Sequence, residues 1–323
     1  MLFSAQPKLL YIVTAIGATA CSSRDVGGDG GVVDDLGRTV ALEAPARRVV
    51  SLLPPITELL FAIGAESTVV GRTQWDKYPP SVVDVPNVGD AFDPNVERIV
   101  AQRPDLVAMY ASSANGQAIQ RLSDLGIPTV SIRMDSLASV VRGASLLGRL
   151  TGTTERADSL VRIFEAEHDS ALNAPRPDLA VRVLILSWDN PPIVIGAKSF
   201  LSELVTLAGG DNVFSDIDAP SAPVTIESIT ARDPDLVLIL GDDAPTFADR
   251  PEWKTVAAVR NRRFVFLQGS EFEYPSFRAF DAVSKLRRVL MEAARSLGIA
   301  HREFATVGHD APIFARAGLP SSI

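Results

Sequence analysis

The sequence predicts an α/β protein of two similar lobes, each a parallel sheet flanked by helices, joined by a single long rigid helix with a ligand cleft between the lobes. Three observations predict it: an internal duplication, short β-branched strands alternating with helical stretches, and a helical run without Gly or Pro between the halves. A length of 323 residues accommodates two domains of roughly 150 residues each. The chain is 46% hydrophobic and 22% charged, a globular composition. Its net charge of −8 argues against a nucleic-acid binder, which carries a basic patch. One Cys excludes an internal disulfide, and three scattered His are too few for a His-rich metal site.

The elements follow in order. Lys8 precedes an apolar run from Leu9 to Ile16, and small residues lead to Ala20 and Cys21. The run is shorter than the ~20 residues that span a bilayer. Residues 1–20 therefore read as an export signal, with Cys21 as the lipidated residue of a bacterial lipoprotein. Plain cleavage after Ala20 and a buried helix are the alternatives. Residues 21–36, rich in Gly, Ser and Asp, read as a flexible tether.

Residues 37–150 form the predicted first lobe and 177–300 the second. Residues 96–107 align without gaps to 226–237, at a constant offset of 130. Glu97, Ile99, Ala101, Pro104, Asp105, Leu106 and Val107 recur as Glu227, Ile229, Ala231, Pro234, Asp235, Leu236 and Val237. Each copy reads as a short helix, a Pro-Asp turn and a buried strand. Residues 58–64 echo 203–209, both predicted helices stopped by a Gly. The opening strands also match, Arg48 to Leu52 with Arg182 to Leu186. Between the lobes, 151–176 reads as the linking helix: Thr153 is its predicted cap, and Leu160, Ile163, Phe164 and Leu172 form its apolar stripe. About 20 residues at 1.5 Å each make a rod of about 30 Å. Residues 301–323 read as a tail.

Ligands of open parallel α/β sheets sit beyond the carboxyl ends of the strands. Aromatic residues recur at those positions: Trp75, Phe92, Tyr110, Trp188, and then Phe272, Tyr274 and Phe277. Only 7% of the chain is aromatic, so the clustering marks a cleft for a large, flat, partly apolar ligand. For any single ring, ordinary core packing is the competing explanation, and Trp253 reads as structural. Lys77, Arg133, Glu273 and Arg278 lie at the same ends. Arg278 reads either as a partner for a ligand carboxylate or as a solvated side chain. Glu97 and Glu227 open the duplicated helices. They either answer the helix dipole, at about 0.3–1 kcal/mol, or dock onto basic sockets of a two-fold partner.

Enzyme signatures are missing from the sequence: no nucleophile elbow, P-loop, HExxH or dinucleotide-binding glycine pattern occurs. The rival reading is a metal-cofactor enzyme using Asp76, Asp189 or Glu273 as acid and base.

Residues 48–60, Trp75 through Pro80, Asn95 through Ile99 and Pro104 through Val107 together resemble substrate-binding proteins of ABC importers for vitamin B12, iron siderophores and haem. The resemblance covers about Gly37 to Leu297. It implies two Rossmann-like lobes, one rigid helix, and a shallow cleft that closes only slightly. It also implies that Glu97 and Glu227 engage Arg residues of a membrane permease, which works with an ATPase. The vitamin B12-binding branch is the most similar, through Trp75 before Tyr78-Pro79-Pro80, Tyr110 after its strand, Trp188 before Asn190-Pro191-Pro192, and Phe272. It departs at Ala91, where that branch has a Trp and Phe92 is the neighbour here. Tyr110 and Tyr274 keep haem open as axial ligands, and Arg278 keeps ferric siderophores open. The reading is thus an exported, lipid-anchored carrier of a bulky metal chelate, with no catalysed reaction and no resident cofactor or metal.

Overall fold

The structure, a computed structural model, describes residues 31–90, 94–174, 180–241 and 245–298. The expectations for the signal segment, Cys21, Phe92 and the tail lie outside the described residues.

Regular structure is present ahead of the predicted boundary at Gly37. Strand β1 (Val32–Val33) pairs antiparallel with β2 (Thr39–Val40). Between them Asp34 is buried, accepting the backbone N–H of Leu36, Arg38 and Ser131 and pairing with the Arg38 guanidinium at 2.6 Å. A carboxylate so thoroughly hydrogen-bonded belongs to a folded edge, so the tether reading does not extend to residues 31–36.

The first lobe continues as β3 (Val49–Ser51), α1 (Pro54–Ala62), β4 (Val69–Thr73), β5 (Asn87–Gly89), α2 (Val96–Ala101), β6 (Leu106–Tyr110), α3 (Gly116–Asp124), β7 (Thr129–Ile132) and α4 (Leu137–Thr151). Its sheet runs β5-β4-β3-β6-β7 with every pairing parallel. The chain builds outward from β3 to β5, then returns to the other side of β3. The carboxyl ends of β3 and β6 therefore flank a topological switch point.

Helix α5 (Thr154–Leu172) leads to the second lobe. That lobe contains β8 (Arg182–Asp189), β9 (Pro192–Ile195), α6 (Phe200–Leu207), β10 (Asp211–Asn212), β11 (Ser221–Pro223), α7 (Ile226–Arg232), β12 (Leu236–Leu240), α8 (Ala257–Arg260), β13 (Phe264–Leu267) and α9 (Ala279–Ser296). Its sheet runs β11-β9-β8-β12-β13, with β10 also on β8. Strands β8, β12 and β13 are mutually parallel, whereas β9 is antiparallel to β8 and to β11. This lobe is therefore a mixed sheet. The residues Asn190 and Pro191 between β8 and β9 are far too few for a parallel crossover, which needs a dozen or more.

The duplication is visible atom by atom. Asp105 accepts the N–H of Arg47 and Arg48 at 2.8 and 2.9 Å, and Asp235 accepts that of Arg182 at 2.8 Å. Arg48 donates back to the carbonyls of Gln102 and Arg103 at the end of α2. Arg182 does the same to Arg232 and Asp233 at the end of α7. Arg103 and Asp233, one offset apart, both turn the chain in the left-handed region, at φ 49° and 40°. Each Pro-Asp turn thus locks the start of one strand to the end of the preceding helix.

The connection between the lobes differs from the expected single rod over 151–176. Thr151 closes α4, Gly152 turns at φ 73°, and α5 returns along α4 as its packed partner. Thr153 makes no side-chain cap. Its hydroxyl instead meets that of Thr151 at 2.9 Å. Ala157, Leu160 and Phe164 bury one face of α5, but Leu172 is exposed. Phe164 meets Phe277 and Phe280 at ring-centre distances of 5.2 and 4.9 Å, so one apolar core continues from the first lobe through α5 into the second. Among the described residues no helix is long and apolar enough to cross a membrane.

Helices α4 and α5 pack tightly at Gly148, where an added Cβ would stand 2.6 Å from that of Ala157. Gly148→Ala is expected to lower stability by about 1–3 kcal/mol, as overpacking does, measured by urea unfolding. Unchanged stability would show that the helix pair can separate without cost.

Candidate functional site

A cavity of about 320 Å³ opens at the switch point of the first sheet. Leu53, Pro54 and Pro55, where β3 gives way to α1, form one wall, and Tyr110 and Met134 follow β6 and β7. Ser112, Ala114 and Asn115 close the side. Tyr274 enters from the second lobe, so the cavity lies between the lobes. Its polar groups are anchored: Asn115 Nδ2 donates to the Tyr110 carbonyl at 2.9 Å, and Tyr110 donates its hydroxyl to Asp135 Oδ1 at 2.7 Å. Partial burial and the Asp135 carboxylate both push the Tyr110 pKa above that of an ordinary phenol. Tyr274 is pushed higher still by burial and by Glu58, toward which its hydroxyl points at 3.4 Å. Both groups are therefore held as neutral phenols.

Two indoles stand open to solvent at strand ends. Trp75 follows β4 and is 53% exposed; Trp188, near the end of β8, is 59% exposed. The Trp75 Nε1 donates to Asp90 Oδ2 at 3.2 Å and the Trp188 Nε1 to the Asn190 carbonyl at 2.8 Å, leaving ring faces uncommitted to hydrogen bonding. Neither indole lines the cavity, whose aromatic members are Tyr110 and Tyr274. Trp253, by contrast, is fully buried against Phe247, ring centres 4.6 Å apart.

Two further predicted ligand contacts sit elsewhere. Phe272 is 3% exposed and belongs to the main core, because the short 3₁₀ turn Ser270–Phe272 folds it inward. Arg278 is 8% exposed, and its guanidinium is committed to the protein. It donates to both carboxylate oxygens of Glu58, at 2.8 and 2.9 Å, to Glu271 at 2.9 Å and to Ser270 at 2.8 Å. Tyr78 presents its ring face to it, 4.0 Å from the centroid. Arg278 is thus neither solvated nor available to a ligand carboxylate. Glu58 lies on α1 and Arg278 at the start of α9, so this cluster bridges the lobes. Lys285 also pairs with Glu271, which balances two carboxylates with two cations. Burial works against the Arg278 charge, yet Glu58 overrides it and raises the pKa. Burial likewise works against charge on Glu271, but Lys285 and Arg278 hold its pKa below the ordinary carboxylate value.

Glu97 and Glu227 are exposed in the first turns of α2 and α7. Asn95 and Thr225 cap those helices, accepting the N–H of Arg98 at 3.0 Å and of Ser228 at 3.2 Å. The Glu227 carboxylate is held below its ordinary pKa by its own backbone N–H and by the Thr225 hydroxyl. The carboxylates considered for acid–base work are engaged separately: Asp76 is buried on Thr73, Asp189 pairs with Arg250, and Glu273 is exposed. Lys77 and Arg133 are exposed. Among the described residues no group of three or more His, Cys, Asp or Glu is placed to hold a metal ion.

A family model described as periplasmic binding protein matches residues 49–270, more than half of the chain and both lobes. The chain belongs to the periplasmic binding protein family. An uncharacterized ABC transporter substrate-binding lipoprotein of Bacillus subtilis, YvrC, is 28% identical over 240 residues, covering 72% of this chain and 76% of the relative. The vitamin B12-binding protein of Salmonella choleraesuis is 31% identical over 197 residues, covering 61% and 73%. Among solved structures, the periplasmic haem-binding protein HutB of Vibrio cholerae superimposes with a TM-score of 0.67 at 22% identity, covering 75% of this chain and 98% of that one. That likeness bears on the fold.

The cavity and the Glu58–Arg278 cluster both lie between the lobes. The sequence reading had passed over Glu58. Its signal was a single carboxylate inside the apolar run of α1, whose neighbours from Pro55 to Ala62 are all buried. A charge at such a position requires a buried partner. Arg278→Leu, which strips that partner, is expected to cost about 3–5 kcal/mol in urea unfolding, whereas Glu58→Met with Arg278→Leu should cost markedly less. Equal losses would mean that the pair contributes by packing and not by charge.

Proposed function

We propose that this protein is an extracytoplasmic carrier that captures a corrinoid such as vitamin B12 between its lobes and delivers it to an ABC importer. The observation that carries this reading is the pair of exposed indoles, Trp75 and Trp188, at strand ends of the two lobes, with the Tyr110–Tyr274 cavity between the lobes. Large exposed aromatic surfaces mark a place that a partner covers, and rigid rings lose little entropy when a flat macrocycle stacks on them. Phe92 is proposed as a further wall on the first lobe.

The two phenols bear on the ligand class. Axial binding of haem iron by tyrosine uses the deprotonated oxygen. Asp135 accepts the Tyr110 proton and Glu58 faces the Tyr274 hydroxyl, so losing either proton places two negative oxygens together. A chelate that brings its own coordination sphere needs no such ligand. It asks only for flat apolar contact, which the aromatic residues of this cleft supply. Among metal chelates a corrinoid fits that description better than a haem bound through tyrosine.

Delivery is assigned to Glu97 and Glu227. They are exposed, duplicated at one offset, and borne on capped helices whose first turns lie on the carboxyl-end side of each sheet. A permease with two-fold related basic sockets would meet one carboxylate per lobe. A lipid on Cys21 would hold the carrier beside that permease; stable anchoring takes more than one acyl chain, so the full lipoprotein modification is part of the proposal. No turnover is assigned to the cleft.

Isothermal titration with cyanocobalamin should give one saturable site, and Trp75→Ala or Trp188→Ala should each weaken it by about 1–3 kcal/mol. Saturable binding of haemin or a ferric siderophore without cyanocobalamin would overturn the corrinoid assignment. Glu97→Arg combined with Glu227→Arg should leave that affinity unchanged while abolishing uptake through the permease in cells. Undiminished uptake would return both residues to helix-start duty.

A further inference from the structure

Beside Trp75 lies a buried carboxylate that the proposed capture of a corrinoid does not by itself explain. Asp76 is 3% exposed, and burial raises its pKa, with Thr57, Thr73 and Arg72 acting in the opposite direction. One oxygen, Oδ2, accepts both the backbone N–H of Thr73 at 2.9 Å and the Thr73 hydroxyl at 2.5 Å. The other, Oδ1, is buried without a hydrogen-bond partner. Thr57 stands next to the carboxylate and favours its charged form, and its hydroxyl also meets Ser51 Oγ at 2.8 Å. A half-satisfied buried carboxylate costs stability, and burying a smaller or neutral side chain would avoid that cost.

The hydrogen bonds show what Asp76 holds. The Thr73 hydroxyl, which donates its hydrogen bond to Asp76, accepts the N–H of Trp75 at 3.2 Å. The chain from the end of β4 to the indole is therefore one relay: Asp76 carboxylate, Thr73 hydroxyl, Trp75 backbone. Two bonds secure the far side. Gln74 donates its N–H to the Gly89 carbonyl at 3.0 Å, and the Trp75 indole N–H reaches Asp90. Over half of Trp75 is open to solvent, so its backbone position is set less by core packing than by this turn. A carboxylate that accepts two hydrogen bonds from Thr73 aims the hydroxyl lone pair at the Trp75 N–H. A neutral alkyl group in its place would let that hydroxyl rotate away.

We propose that Asp76 is a positioning residue that fixes the ligand-facing indole of Trp75 through the Thr73 hydroxyl. The claim rests on Trp75 being a wall of the proposed site, and it names the residue that sets that wall's place. Asp76 touches no ligand in this account. Its carboxylate pre-orders the ring before capture, so the ligand does not have to order it on binding.

The experiment reads the ring directly, with and without ligand. In the free protein, time-resolved fluorescence anisotropy is recorded in a Trp188→Phe background. Two indoles then remain, Trp253 in the core and Trp75 at the surface, and iodide quenches only the exposed one. Asp76→Ala and Thr73→Val should each add a fast, large-amplitude component to the iodide-accessible emission. Asp76→Asn, whose amide oxygen still accepts from Thr73 and whose amide nitrogen faces Thr57, should restore the wild-type decay. With Trp188 intact, cyanocobalamin affinity should fall about tenfold in Asp76→Ala and in Thr73→Val, and return to within about threefold in Asp76→Asn. Thr73→Val keeps the residue β-branched at the strand end, so it answers the question even where Asp76→Ala fails to fold. An unaltered Trp75 decay in the two relay variants overturns the proposal. So does a decay that loosens while affinity stays at the wild-type value. If wild-type protein binds no cyanocobalamin at all, the corrinoid reading fails on its own, and the anisotropy of the free protein still decides the role of Asp76.

Discussion

The architecture depends on one buried ion cluster. Each lobe completes its own sheet, but the cleft has a shape only if the lobes are held in register. Among the contacts that cross between them, one is apolar and one is ionic. Phe164 on α5 carries the apolar core from one lobe to the other through Phe277 and Phe280. Arg278 then reaches from the start of α9 to Glu58 on α1, with Glu271 completing its shell. Apolar packing is non-directional, so the core keeps the lobes together without fixing their angle. A guanidinium that bonds both oxygens of a carboxylate fixes distance and orientation together. It is the directional constraint in an otherwise non-directional interface.

The same cluster shapes the cleft. Tyr274 lies four residues before Arg278, lines the cavity and points its hydroxyl at Glu58. Tyr78, two residues after the buried Asp76, gives its ring face to Arg278. The aromatic floor of the cleft and the lock between the lobes are therefore parts of one arrangement. The interface between the lobes buries both groups: burial and Glu58 keep Tyr274 neutral, while Glu58 keeps Arg278 charged against that burial. The cavity wall at Tyr274 is thus held by the same cluster that joins the lobes.

Much of this was legible in the sequence, because gene-scale repetition preserves local physics. The Pro-Asp turns at 104–105 and 234–235 recur because each must cap a strand and receive an Arg, and such requirements fix residue identity at fixed spacing. Trp75 and Trp188 could be placed at strand ends from the apolar runs that precede them, and both are exposed there. What escaped was set by distant partners. Arg278 and Glu58 are 220 residues apart in the chain, and no local pattern says that they meet. Phe272 looked like its aromatic neighbours, yet a short 3₁₀ turn folds it into the core while Tyr274 emerges beside it. The antiparallel strands β9 and β11 read locally like any other short apolar strands, and only the length of the link at Asn190-Pro191 reveals their direction. The strand pair at 32–40 depends on Asp34 finding Ser131, again a contact between remote residues.

The central claim is that a buried ionic lock holds the lobes at one angle, so that the cleft exists before a ligand arrives. Spin labels on cysteines replacing the exposed Arg121 of α3 and Arg260 of α8, in a chain with Cys21 changed to Ser, report the distance between the lobes by electron–electron resonance. The account predicts one narrow distance distribution, little altered by cyanocobalamin and broadened by Arg278→Leu. A broad or two-peaked distribution in the free protein that collapses only when ligand is added would contradict it.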